Sequence, residues 1–142
     1  MEIRICDTPL TVELAAGLAA YAQTLAADLL DRRVTGPIEP LYRVYGYNRF
    51  QACRFGFDAA IVDSDNGGHV RLSEDLVATL ERLEPYAASL GTALPLISLA
   101  ALAARESNDS RWLRERYDET RSLPDVVRLQ AERWRESMVV EA

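Results

Sequence analysis

The chain has 142 residues, 49% hydrophobic and 27% charged, which fits one globular domain with a modest core and excludes a disordered tract. Its net charge of −6 gives a nucleic-acid partner no electrostatic support, and all 16 basic residues are arginine, which removes Schiff-base lysine chemistry and a P-loop lysine. The longest apolar stretch, Leu14 to Leu30, is broken by Gln23 and Asp28 before it reaches the roughly 20 residues a membrane span needs, and no basic segment followed by an apolar run opens the chain. The expectation is a cytoplasmic protein with neither a membrane nor a nucleic-acid partner.

Glu2-Ile3-Arg4-Ile5-Cys6 alternates polar and apolar residues with the period of a half-buried strand, placing Glu2, Arg4 and Cys6 on one face. Asp7-Thr8-Pro9 stops it. Thr11 then caps a long helix running to about Arg32, with Leu14, Leu18, Tyr21, Leu25 and Leu29 as its buried stripe. After Gly36-Pro37, the aromatic and basic segment from Leu41 to Phe55 reads as a second helix, closed by Gly56. Phe57–Val62 and Val70–Leu72 flank Asn66-Gly67 and form a hairpin signal. Ser73 is expected to cap the next helix, which Pro85 kinks or splits before Gly91. Helices near Leu94–Arg105, Ser110–Glu119 and Leu123–Met138 follow, with Asn108-Asp109 and Ser122 as caps. Two cysteines, Cys6 and Cys53, are too few for a disulfide framework or a zinc site and read as packed thiols; the lone His69, beside Gly67-Gly68, reads as a turn residue.

Two segments carry a family resemblance. Glu2-Ile3-Arg4-Ile5-Cys6-Asp7-Thr8-Pro9 is similar to the E-[I/F]-R-x-x-D-T-P segment of the glutamate–cysteine ligase type 2 family. Asn48-Arg49-Phe50-Gln51-Ala52-Cys53-Arg54-Phe55-Gly56-Phe57-Asp58 resembles that family's N-[R/K]-[F/W]-x-A-x-R-[Y/F]-G-[L/F]-D helix end, and the hairpin and Asn108-Asp109-Ser110-Arg111 follow in family order. The resemblance covers essentially the whole chain, but only the C-terminal portion of the family protein. It implies a predominantly helical α+β unit (one N-terminal strand, a small hairpin, about six helices) belonging to a glutamine-synthetase-like fold, with residues 1–142 forming a single domain.

The activity so implied is ATP-dependent carboxylate–amine ligation. The γ-phosphoryl group of ATP passes to a carboxylate, and an amine displaces phosphate from the acyl phosphate. The implied substrates are glutamate or a similar carboxylate and cysteine or another amine, with ATP and Mg²⁺. By resemblance, Glu2 is a metal-ligand carboxylate, Arg4 a phosphate or acyl-phosphate contact, and Arg54, Asn48 and Arg49 weaker candidates for catalysis or substrate binding; arginine suits an anion because its planar fork donates two parallel bonds. A bland reading stands beside each. Glu2 and Arg4, on one strand face, each make ordinary cross-strand ion pairs, Asn48 caps a helix, and the two arginines pair with acids such as Glu39 or Asp58.

Tyr42, Tyr45, Phe50, Phe55 and Phe57 read as core. Trp112, Leu113, Tyr117, Val126, Val127, Leu129 and Trp134 recur at helical spacings, for which packing is the default meaning and a subunit contact in a homo-oligomer the alternative. A lone N-terminal strand has no sheet to join, so the 142-residue chain is expected not to turn over ATP alone. It would require a missing N-terminal portion, or act as a helical interaction module or split-enzyme subunit that pairs its first strand with a partner chain.

Overall fold

The computed structural model describes residues 9–33, 38–63, 66–104 and 108–138. The expected first strand, with Glu2, Arg4 and Cys6, lies outside them. Among the described residues the order is α1 (Val12–Asp31), α2 (Ile38–Phe55), a single 3₁₀ turn (Gly56–Asp58), β1 (Ala60–Val62), β2 (His69–Arg71), α3 (Leu72–Leu90), α4 (Ala93–Ala104), α5 (Asp109–Thr120) and α6 (Leu123–Glu136). This is the predominantly helical α+β arrangement expected, with one antiparallel hairpin that pairs Ala60 with Arg71, Ile61 with Val70 and Val62 with His69.

The helix boundaries follow from local chemistry. Thr11, Asn108 and Ser122 each accept a hydrogen bond from a backbone N–H three residues on, at Leu14, Arg111 and Asp125, which satisfies donors that the first turn leaves open. Gly56 (φ 61°) and Gly91 (φ 70°) end α2 and α3 in the left-handed region, where a side chain would strain the backbone. Two expectations about α3 need correction. Ser73 is not its cap: the helix starts two residues earlier than that cap would set it, at Leu72, on an extended Arg71 that makes no side-chain cap bond. Pro85 does not split it either. Proline removes one N–H and crowds the preceding turn, but Pro85 sits on the exposed side of α3, where water can satisfy the freed carbonyl.

α1, α3 and α4 pack against one another and form the centre of the molecule, with Ala20, Ala87 and Leu96 buried together and Tyr21 and Leu80 against them. The line of α1 that is fully buried is Gly17, Ala20, Thr24 and Asp28, not the expected leucine stripe; Leu14, Leu18, Tyr21 and Leu25 are half-buried and Leu29 is exposed. The reason is close approach. A Cβ on Gly17 would stand 3.3 Å from the Pro95 carbonyl oxygen and 3.4 Å from Leu99 Cβ, so α1 and α4 meet nearly backbone to backbone and the leucines flank the seam. Buried Thr24 donates to the Ala20 carbonyl and shares a 2.8 Å hydrogen bond with Thr92. Buried Asp28 is held by Arg32 at 2.7 Å and by Arg82. Desolvation works against its charge, yet the hydrogen bonds and charges of the two guanidinium groups outweigh it and keep the carboxyl below the usual aspartate range.

α2 departs most from expectation. It packs on β1 and the 3₁₀ turn. Tyr42, Tyr45, Phe50 and Phe55, expected as core, are 71%, 44%, 59% and 50% exposed, and only Phe57 of that set is half-buried. Cys53, expected as a packed thiol, is exposed on the same helix. Trp112 in α5 does pack: Arg116 and Arg133 lie over its ring, at 5.9 and 4.8 Å from the centroid, and α5 rests on α6, whereas Tyr117 and Val127 of the same expected set are exposed.

Candidate functional site

The end of α2, the 3₁₀ turn and the start of α5 enclose a cleft of about 350 Å³, whose polar lining comes from Arg54, Asn108, Asp109, Ser110 and Arg114. Its geometry rests on two long-range contacts. Gly56 turns the chain at positive φ directly against Asn108, so that a Cβ there would fall 2.6 Å from Asn108 Nδ2. Asn108 is fixed in turn, because its Oδ1 accepts from the Arg111 N–H at 2.8 Å as the cap of α5. The second contact is the backbone N–H of buried Leu10, which donates to Asp109 Oδ2 at 2.8 Å. Leu10, the arginine–glycine turn of the second motif and the Asn108-Asp109 cap therefore meet at one place, although they are far apart in sequence.

The electrostatics favour an anion. Arg54 and Arg114 make no ion pair with the described residues; Arg54 lies over the Phe55 ring at 5.5 Å. The open N–H groups and dipole of α5 add positive potential, and one oxygen of Asp109, the one acid among the described residues that line the cleft, is occupied by Leu10. A smaller recess of about 100 Å³ shares Phe57, Asn108 and Asp109 with the cleft and reaches Arg133, whose Nη1 is buried with no acceptor among the described residues. Two guanidinium groups beside a helix N-terminus suit a carboxylate or a phosphoryl group.

The comparisons with known proteins bear on which anion. Residues 1–138 match the model of the family described as glutamate-cysteine ligase family 2 (GCS2). The chain belongs to glutamate-cysteine ligase family 2. Two proteins named "Putative glutamate--cysteine ligase 2" are similar to it. That of Chromobacterium violaceum is 48% identical over 134 residues, covering 94% of this chain and 36% of the relative; that of Polaromonas naphthalenivorans is 45% identical over 135 residues, covering 95% and 35%. The chain thus spans about a third of the length of the curated relatives it matches.

Within this glutamate-cysteine ligase family 2 chain the sequence-predicted site residues do not form one constellation. Arg54 lines the cleft. Asn48 lies one and a half turns earlier and faces the hairpin, where its amide donates to the Val62 carbonyl at 2.8 Å and accepts from the Val62 N–H at 2.7 Å. Both groups of that amide are satisfied as if β1 had gained another strand partner, and Asn48 stands inside α2 rather than at its cap. Arg49 is exposed with its guanidinium 5.9 Å from the Tyr45 ring centroid, and Asp58 pairs at 3.8 Å with Arg71, not with either motif arginine. Glu2 and Arg4 lie outside the described residues. Arg114 was not singled out from sequence; the signal was the Asn108-Asp109 cap, which fixes where Arg111 and Arg114 fall along α5.

A second cleft, lined by Asn48, Asp63, Asp75, Thr79 and Arg82, lies across the hairpin. Burial, and then the charge of Asp63, raise the Asp75 carboxyl above the usual range, while Arg82 opposes the shift. For the Mg²⁺ implied by resemblance, no group of three or more His, Cys, Asp or Glu side chains able to hold an ion occurs among the described residues. No helix among the described residues is long and apolar enough to cross a membrane.

Proposed function

We propose that this chain supplies the C-terminal part of an ATP-dependent carboxylate–amine ligase of the glutamate–cysteine type, and that the Arg54–Arg114 cleft holds an anionic group of that reaction. The observation that carries this reading is the convergence at Gly56–Asn108 and Leu10–Asp109, which sets the turn that ends the second motif against the Asn108-Asp109 cap beside one cleft containing two arginines without ionic partners among the described residues.

In the reaction, a carboxylate oxygen of glutamate or a similar acid attacks the γ-phosphorus and ADP leaves. The amine of cysteine, or another amine, then attacks the acyl carbon; inorganic phosphate leaves and the amine loses a proton. Mg²⁺, when bound with ATP, neutralises the polyphosphate. The role assigned to Arg54 and Arg114 is to bind and orient a carboxylate or phosphoryl oxygen through charge-assisted hydrogen bonds. Glu2 is proposed as one ligand of the cation, and Arg4 as a phosphoryl contact. Asn48 and Arg49 are withdrawn as substrate contacts in this reading: Asn48 holds β1 and Arg49 stacks on Tyr45.

The 142-residue chain is proposed to be inactive alone, since it spans about a third of its relatives. The test replaces the matched third of the Chromobacterium violaceum relative with this chain and measures amino-acid-dependent ADP formation. Turnover by the chimera and none by the separate chain is expected. Turnover by the separate chain would refute the incompleteness, and a folded, inactive chimera beside an active parent would refute the ligase reading.

A further inference from the structure

We propose that the exposed face of α2 is a docking surface for the family polypeptide that this chain does not span, with Gly46 as the floor of a recess that receives one of its side chains. The inference rests on family membership and coverage, not on the ligase chemistry, and it places the contact on the opposite side of α2 from the hairpin.

Three observations lead to it. First, the face has the composition of an interface core. Tyr42, Tyr45, Arg49 and Cys53 succeed one another at spacings of three, four and four, so they form one seam, and Phe50 flanks it. Tyr42 and Tyr45 have ring centroids 6.3 Å apart, and Arg49 lies over Tyr45, so the side chains of the seam lie against one another. Aromatic residues and arginine are the types enriched at the centres of protein contacts, where rigid rings lose little entropy on burial.

Second, no contact among the described residues requires glycine at position 46. It sits in the interior of α2, its φ is not among the positive ones, and a Cβ there would meet nothing within 4 Å. Glycine at such a position destabilises a helix, because it loses more backbone freedom than any other residue. Its neighbours on the helix surface are Tyr42 and Phe50 at four residues either side, and Arg43 and Arg49 at three. Four large side chains around a bare backbone make a hole of the kind that accepts a knob from another element. Close approach by a partner supplies the reason for glycine that the described residues lack.

Third, the occupant is indicated by what is missing. The family match runs through residues 1–138, so the chain is family sequence almost throughout, yet it accounts for only 36% and 35% of two relatives. A helix that belongs to a larger fold and, among the described residues, packs mainly on a three-residue strand and a single turn has most of its surface left for the remainder of that fold.

Hydroxyl-radical footprinting of the chimera described above, against the 142-residue chain, tests this without requiring activity. Tyr42, Tyr45 and Phe50 are expected to oxidise on the order of tenfold more slowly in the chimera, the loss of water access that an interface core undergoes. Gly46→Leu should return them to the rate of the separate chain while Trp112 and Trp134 keep theirs. If the tryptophans are released as well, Phe50→Glu, which leaves the recess unfilled, decides by the same comparison. Equal oxidation in chimera and chain, or protection that survives both substitutions, would overturn the proposal. Protection in the separate chain that grows with its concentration would assign the face to a second copy and overturn it too, as would an insoluble chimera beside a soluble parent.

Discussion

Replacing Gly56 with alanine probes the joint on which the candidate cleft depends. Two costs arise. The backbone at φ 61° is strained for any residue with a Cβ, which costs about 1–2 kcal/mol. The new methyl would also fall 2.6 Å from Asn108 Nδ2. That atom ends a short side chain, but the amide cannot turn away freely, since its Oδ1 caps α5 through the Arg111 N–H. Displacing the cap costs about 1 kcal/mol more. The sum is about 2–3 kcal/mol, measured as the change in unfolding free energy in urea. Asn108→Ala alone should cost about 1 kcal/mol through the lost cap. In that background Gly56→Ala has nothing left to strike, and its cost should fall to the backbone strain of about 1–2 kcal/mol. A cycle that is additive within 0.3–0.5 kcal/mol, roughly the error of such experiments, would show that Gly56 and Asn108 are not in contact and would remove the joint.

Other perturbations test neighbouring parts. Gly46→Ala should stabilise the separate chain by up to about 1 kcal/mol and raise its thermal midpoint by a few degrees, because the new methyl meets nothing and the unfolded backbone loses freedom; a lower midpoint would mean that α2 needs glycine for its own folding. Asn48→Ala should cost about 1–3 kcal/mol by stranding both polar groups of Val62, and should speed amide exchange in β1; unchanged exchange would show the amide pair to be dispensable. Asp28 sets an acid limit. Its folded pKa lies below the unfolded value, so its contribution is complete above the ordinary aspartate range and is lost as pH falls through the folded value. Asp28→Asn should therefore flatten the stability-versus-pH curve below about pH 4, and a curve parallel to that of the unsubstituted chain would exclude Asp28 as its source.

The helical layout was legible because short-range chemistry wrote it. Thr11, Asn108 and Ser122 cap the helices they precede, and Gly56 and Gly91 end the helices they follow. What failed was inference about what covers a face. The leucines of α1 have the right period, but the seam with α4 is made by Gly17 and its small neighbours, since the distance between helix axes depends on both partners. The aromatics of α2 read as core by type, yet type does not say which chain buries them. The same boundary applies to the site. Arg54 stood out through its motif, whereas Arg114 gains meaning only when the fold sets α5 against Gly56. Asn48 shows the reverse, a residue that looked chemical and proves to hold a strand.

The most direct measurement is amino-acid-dependent ADP formation by the chimera carrying Arg54→Ala or Arg114→Ala, with unfolding free energy followed in parallel. Each arginine is exposed and makes no ion pair with the described residues, so stability should change by less than about 0.5 kcal/mol. Turnover should fall on the order of 100-fold with each substitution, as when a charged group bound to a reacting anion is lost. Undiminished turnover in both variants would show that the cleft is no part of the reaction.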